Sequence, residues 1–501
     1  MILGMDLLGA AGQALHLIFT WQYLLHMLIG VTLGNIIGII PGIGGNFTLA
    51  IMIPFIFWMD PVLAIGFLEG AHASTATGGA ITSILVNVPG DAANSATCFD
   101  GYPMTKKGEG GRAVGASAVA SGVGGLVGAV VLFLLLPVVR PLVLALGPAE
   151  IFALVLVGIT MIAYVGEGST FKALIAGLFG LLLSFIGDDP STGVIRFNFG
   201  TTYLMDGLDL VPVVIGMFAF SEMLLLIKEK KGIIDIQVEK ASFASVWEGC
   251  LDCFRHFWLL VRTSIIGTFV GMVPGLGGTV ASFIAYGHAK QTEKNPETFG
   301  TGRVEGVIAP EAANNSKEGG QLVPTIAFGI PNTSGMALLL GALMILGLTP
   351  GPKMLKEELP MTLVIVWTLA IANLFAAAQV VLLANPMAKI ATIRPSILIP
   401  AVLAVSSLGA YAVTNTFGSV VVAGLFGVLG YELKKFGFSR ATLIIGLVLG
   451  SIAEKNYNLS MLLFGPSFVF RPITLVLLLG VGVLLVWIAA KGFLKKEEAE
   501  Q

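Results

Sequence analysis

The sequence predicts an all-α polytopic membrane protein of two inverted repeats with discontinuous, re-entrant helices and about ten to fourteen spanning segments. Three observations predict it. Of 501 residues, 55% are hydrophobic and 12% charged, with a mean hydropathy of +0.90; soluble domains carry about twice that charge. A PGxGG motif occurs twice, at Pro41–Gly45 and Pro274–Gly278, 233 residues apart. Basic residues gather in one internal stretch, with Lys228, Lys230, Lys231, Lys240 and Arg255 between residues 228 and 257, and again at Lys491, Lys495 and Lys496.

In chain order, the opening segment MILGMDLLGA lacks the basic region of a cleaved signal peptide and is expected to be retained. The first repeat, 1–227, holds apolar runs that predict spans near 18–38, 48–68, 113–136, 141–164, 172–187 and 211–227. Residues 228–257 form a charged linker loop. The second repeat, 258–490, predicts spans near 258–273, 335–348, 361–384, 397–413, 415–430, 441–453 and 473–490, ahead of a tail at 491–501. Basic loops stay inside, which places linker and tail in the cytoplasm. The first twenty residues contain no Lys or Arg. The second repeat instead follows directly on the Lys-rich loop, so the copies are expected to enter from opposite sides. The 64 glycines fit close helix packing and broken helices.

Each PGxGG is followed by a polar stretch of small residues, Glu69–Ser95 in one half and Glu311–Gly335 in the other. In both, an acidic residue precedes a Gly-Gly pair (Gly78–Gly79, Gly319–Gly320), and an apolar run leads to Pro-Gly-Asp at 89–91 or Pro-Asn-Thr at 331–333. Two landmarks in one order mark a duplication. Proline and clustered glycine interrupt a helix, and in hydrocarbon a break persists only against protein or a wet cavity. The amides that open the next half-helix then face that cavity with the positive dipole end, which binds a carboxylate without a fixed charge. The expected substrate-binding residues are Gly42, Gly44, Gly45, Asn46, Asn87, Pro89 and Gly90, with Gly275, Gly277, Gly278, Thr279, Pro331, Asn332, Thr333 and Ser334. Oxygens of Thr75, Ser83, Asp91, Asn314, Ser316 and Thr325 suit a coupling cation such as Na+. Glu69, Asp91, Glu311 and Glu318, with His72 and Lys317 beside them, are candidates for cation binding or proton relay. Their polar flanks fit a solvated hairpin edge equally well.

Several classes are excluded. A net charge of −2 does not suit nucleic-acid binding. There is no P-loop, HExxH or GxSxG motif, so no catalytic residue is assigned, no enzyme is expected, and no cofactor is expected beyond Na+ or H+ as coupling ion. Cys98, Cys250 and Cys253 make no disulfide framework. The GxxxG spacings at Gly124–Gly128 and Gly446–Gly450 read as packing faces. A passive channel and an intramembrane enzyme are the competing classes.

These residues resemble the large membrane subunit of the bacterial tripartite tricarboxylate transporter family. The likeness rests on GIIPGIGGNFTLAIMIPF at 38–55, the block at 78–113, GDDPSTGVIRFNFG at 187–200 and DGLDLVPVVIGMFAFSE at 206–222. GMVPGLGGTVASF, the APEAANNSKEGGQLVPTIAFGIPNTSG block and RPITL at 471–475 complete it. The resemblance implies a multi-pass protein of the bacterial inner membrane. It implies a small membrane subunit and a periplasmic solute-binding protein as partners, and a citrate-like carboxylate taken up with an ion gradient. Moving one negative charge inward against ~100 mV costs about 2.3 kcal/mol, so a trianion costs roughly 7 kcal/mol before any concentration gradient. Uptake of such an anion therefore needs co-transported cations.

Overall fold

The computed structural model describes residues 2–40, 42–165, 170–189, 192–229, 242–273, 275–390 and 395–500. The motif prolines Pro41 and Pro274, and residues 230–241 of the expected linker, lie outside them. The chain is an all-α polytopic membrane protein. Among the described residues, strand is confined to one two-stranded antiparallel pair, β1 (Gly187–Asp188) and β2 (Ile195–Arg196).

In the first half, α1 (Ile2–Ile18) and α2 (Trp21–Gly38) meet at a bend of 76°, where the Thr20 hydroxyl accepts from the Tyr23 amide and starts α2. α3 (Gly45–Met52) opens after the break and runs into a 3-10 turn, Ile53–Trp58. α4 (Pro61–Val86) then begins afresh, because Asp60 accepts from the Val62 amide at 2.9 Å and Pro61 takes the first helical position. The single span expected at 48–68 is therefore two elements. α5 (Cys98–Lys106), α6 (Gly110–Leu144), α7 (Pro148–Val165) and α8 (Thr170–Leu183) follow. α9 (Leu210–Val214) passes through a π-helical turn, Ile215–Phe220, into α10 (Ser221–Glu229).

The expected linker loop is helical in its second part. α11 (Phe243–Arg255) starts at a Ser242 cap and packs on α6, with Asp252 bridging Arg112 at 2.6 Å and Arg255 at 2.8 Å. Cys250 and Cys253 are buried here as free thiols, and Cys253 donates to the Ala116 carbonyl at 3.2 Å. In the second half come α12 (Phe257–Met272), α13 (Gly278–Thr292), α14 (Glu305–Phe328), α15 (Ser334–Ile345) and the short α16 (Pro352–Lys356). They are followed by α17 (Leu359–Ile390), α18 (Pro395–Thr414), α19 (Phe417–Lys435), α20 (Arg440–Phe464) and α21 (Pro472–Glu500).

Five of the helices are long and apolar enough to cross a membrane among the described residues, or seven if each of two bent pairs is one span. Other apolar runs form helices of 10–17 residues. The count of full-length spans falls below ten to fourteen because runs such as α12 and α15 stop at, or start from, the glycine- and proline-rich breaks.

The polar stretches are not solvated edges. Glu69–Val86 continues α4 and Glu311–Phe328 continues α14, and the Glu69–Ile84 and Glu311–Leu322 portions are buried throughout. Small side chains allow this, since they let neighbouring backbones touch. A Cβ added at Gly34 or Gly38 of α2 would overlap the carbonyl oxygens of Ala71 or Thr75 on α4, and one at Gly78 would overlap that of Asn35. In the second half, Gly271 of α12 meets the Lys317 carbonyl of α14 in the same way, Gly267 crowds that of Ala313, and Gly320 meets that of Thr268. The α2 and α12 residues are offset by 233 and the α4 and α14 residues by 242, so one packing pattern recurs residue for residue. Gly124 and Gly128 of α6 crowd the carbonyls of Ala312 and Ser316, and Gly446 of α20 that of Gly177; both GxxxG faces pack helices.

Each half contributes to two bundles. α2, α4 and α6 pack with α12, α14 and α17, while α7, α8 and α10 pack with α19, α20 and α21. α3 and α15 reach across the seam, α3 toward the π-helical turn and α18, α15 toward α20 and α9.

Candidate functional site

The paired breaks are built alike. Left-handed residues, Asn87 (φ 59°) and Gly329 (φ 68°), terminate α4 and α14, and each chain then passes beside the PGxGG break of its own half. There the Gly42 amide donates to the Pro89 carbonyl at 3.2 Å, and the Gly275 amide donates to that of Asn332 at 3.0 Å. Gly42 and Gly275 both have left-handed φ, at 77° and 83°, a conformation that other residues reach only at a cost. These bonds tie the interrupted backbone to the segment that follows α4 or α14.

Residues from both breaks line one cavity of about 650 Å³, within the usual size range of small-molecule sites. Three helices begin on its wall: α3 at Gly45 and Asn46, α13 at Gly278 and Thr279, and α15 at Ser334 and Gly335. Their first-turn amides lack intrahelical acceptors and carry the positive dipole ends. The three starts are finished differently. At α3 the amide of Gly45 donates to Asp91 at 2.9 Å, so a carboxylate of the chain already caps that end. At α15 the Thr333 hydroxyl accepts from the Met336 amide at 3.4 Å. α13 has no side-chain cap.

Beside the α13 start lies Lys317, buried to 8% exposure, whose side chain occupies the place a Cβ on Gly278 would need. Its ammonium donates to Glu318 at 3.3 Å. Residues of this wall carry buried polar atoms without hydrogen-bond partners: both amide atoms of Asn314, both ring nitrogens of His72, Oε2 of Glu318 and Oδ1 of Asn332. Buried polar atoms are rarely left unpaired, so a polar ligand is what this wall fits. His72 stands between two helix starts, with Gly45 and Gly335 on either side. Lys434, Gly437 and Arg440 of the α19–α20 turn form the far rim; Lys434 and Gly437 are exposed, and Glu222 binds Lys434 and Arg440.

Of the substrate-binding residues expected from sequence, Gly45, Asn46, Gly275, Gly277, Gly278, Thr279, Asn332, Thr333 and Ser334 line the cavity. Gly42, Gly44, Asn87, Pro89, Gly90 and Pro331 do not. Gly42, Asn87 and Pro89 shape the breaks, Gly90 packs between Gly38 and Gly79, and Gly44 abuts the Asp91 carboxylate. Of the expected cation ligands, Thr75, Asp91 and Asn314 line the cavity. Ser83, Ser316 and Thr325 lie elsewhere, and their hydroxyls donate to carbonyls of their own helices, those of Gly79, Ala313 and Gln321. The six do not converge. Glu311 accepts from Asn94, Thr97 and Ser121 and ties α14 to the first half. His256, Glu293 and Glu305 could also surround a metal ion, but Arg262 binds Glu293 at 3.0 Å and Arg303 binds Glu305, which makes this an ion-pair cluster.

Gln321 and the rim residues of the α19–α20 turn carry no sequence signal. Lys317 does: it is a lone lysine inside a stretch of Asn, Ser and Gly.

Residues 24–445 match the family described as Tripartite tricarboxylate transporter TctA family. The chain is 32% identical over 488 residues to the "Uncharacterized 52.8 kDa protein in TAR-I ttuC' 3'region" of Agrobacterium vitis, covering 97% of this chain and 96% of that one. It is 34% identical over 226 residues to the "Uncharacterized protein in TAR-II ttuC' 3'region" of the same organism, covering 44% of this chain and 93% of that one. No solved structure matches the chain.

Proposed function

Since the chain belongs to the tripartite tricarboxylate transporter TctA family, we propose that it is the carrier of that assembly. On this reading it takes up a di- or tricarboxylate across the bacterial inner membrane, driven by an ion gradient. A periplasmic solute-binding protein delivers the anion and a small membrane subunit completes the complex. The two halves act as inverted copies whose breaks meet at the substrate. Membership in a transporter family favours a carrier over an enzyme.

The observation that carries this reading is the shared cavity, where the α13 and α15 starts and the Lys317 ammonium converge on unpaired amide groups. One carboxylate of the substrate accepts from the first-turn amides of α13 and from Lys317. A second lies toward Thr333, Ser334 and Asn46. Asp91 keeps the α3 end from competing, since that amide is already satisfied.

Replacing Lys317 by Gln tests it. A charged hydrogen bond contributes about 1.5–3 kcal/mol, so half-saturation for citrate exchange by the reconstituted complex, which needs no driving ion gradient, rises roughly ten- to hundredfold. Because the substitution strands Glu318, the double variant Lys317→Gln/Glu318→Gln, which keeps the charge balance, is measured alongside. Unchanged half-saturation in both rejects the site.

A further inference from the structure

Glu69 is fully buried on α4, and neither of its carboxylate oxygens has a hydrogen-bond partner. One helical turn along α4 lies His72, buried, lining the cavity, with both ring nitrogens unpaired. His72 Nε2 stands 3.8 Å from Glu318 Oε1, on the cavity wall. Among the groups facing Glu69, α2 supplies the Tyr23 phenol and α14 supplies Glu318; α3 and α15 carry no ionisable side chain, and α17 carries Lys389 at its far end. The Tyr23 hydroxyl is bonded to Thr368 of α17. His72 in turn faces Glu318, Lys317 and Asp91. α6, which also packs on α4, carries Arg112 and Arg140; among the described residues Glu69 makes no ion pair, and an isolated buried carboxylate is costly to keep ionised. The site therefore suits the neutral, protonated form of Glu69.

We propose that Glu69 is the proton-binding site that couples transport, connected to the carboxylate cavity through His72 and Glu318. The inference rests on the carrier reading above and names its driving ion as H+. The transfer balances as a relay. Glu69 gives its proton to an imidazole nitrogen of His72, the imidazolium gives the proton on its other nitrogen to Glu318, and Glu318 releases it to water in the cavity. Glu69 is left as a carboxylate and is reprotonated in the outward-open state. Glu69 and His72 share one face of α4, three residues apart; the step from His72 to Glu318 has to close 3.8 Å to hydrogen-bond length, and unpaired atoms on all three residues leave room for the moving proton.

Net uptake and exchange separate the claims. The membrane complex is reconstituted in liposomes with its binding protein and given radiolabelled citrate, succinate and tartrate. The unsubstituted complex is expected to accumulate at least one of them when an inward proton gradient is imposed without sodium, and to exchange it when label and unlabelled anion are equal across the membrane. Glu69→Gln mimics the protonated acid, so it is expected to exchange at near the unsubstituted rate while losing proton-driven accumulation; Glu69→Asp is expected to recover part of that accumulation. Accumulation by Glu69→Gln equal to that of the unsubstituted complex overturns the proton site and leaves the carrier reading standing. Loss of exchange in Glu69→Gln makes Glu69 structural and also overturns it. Accumulation that needs sodium and ignores the proton gradient overturns it as well. Absence of exchange by the unsubstituted complex with all three anions overturns the carrier reading and the proton site together.

Discussion

Gly44 and Gly277 occupy equivalent places in the two PGxGG motifs, yet their surroundings differ. A Cβ at Gly44 would strike the Asp91 carboxylate, whereas at Gly277 the nearest atom is a Thr333 methyl 4.0 Å away. Neither position has a left-handed φ, so space decides. Gly44→Ala is expected to displace Asp91 from the α3 amide and lower citrate uptake at least several-fold at normal membrane levels, while Gly277→Ala leaves uptake near unchanged. Uptake assays with immunoblotting of the membranes check both, and equal effects would contradict this account of the cap. The glycines themselves were legible as breaks in the sequence. The pairing of Asp91 with Gly45 was not, because it joins residues 46 apart with α3 and α4 between them, and no local pattern encodes it.

At the scale of elements, the repeated helix pair α2–α4 and α12–α14 depends on backbone contact at matched glycines. A β-branched side chain there forces the helices apart, and overpacking of this kind costs typically about 1–3 kcal/mol. Gly34→Val and its counterpart Gly267→Val are expected to lower thermal stability in detergent by similar amounts, with Gly9→Val, where nothing lies within 4 Å, as the neutral control. Unequal shifts would argue against equivalent packing. Apolar runs made most of the helices readable in advance. The polar halves of α4 and α14 were harder, since Asn, Ser, Thr and Gly favour caps and turns in isolation. What makes them helical is burial: each is enclosed by neighbouring helices, and a helix satisfies its own backbone there.

Across the whole molecule, the rim of the cavity lies at the α19–α20 turn, near Lys228, which donates to Tyr431 at 2.8 Å. From the positive-inside rule we propose that this is the cytoplasmic end and that the cavity opens inward. Ala441 lines that opening. A cysteine at Ala441 is expected to react with a membrane-impermeant maleimide in inside-out vesicles, and more slowly in right-side-out ones. Cys250 and Cys253 are buried, and the unsubstituted chain provides the background for Cys98. Faster labelling from the outside would reverse the assigned orientation. The duplication was visible in the primary structure, but the interleaving of the halves was not, because helix partners hundreds of residues apart are chosen by shape.

The most direct test is a structure of the complex determined with citrate bound. An anion within hydrogen-bond reach of the Gly278 and Thr279 amides and of the Lys317 ammonium is the predicted result. Citrate held elsewhere, with that corner of the cavity filled by water alone, would contradict it.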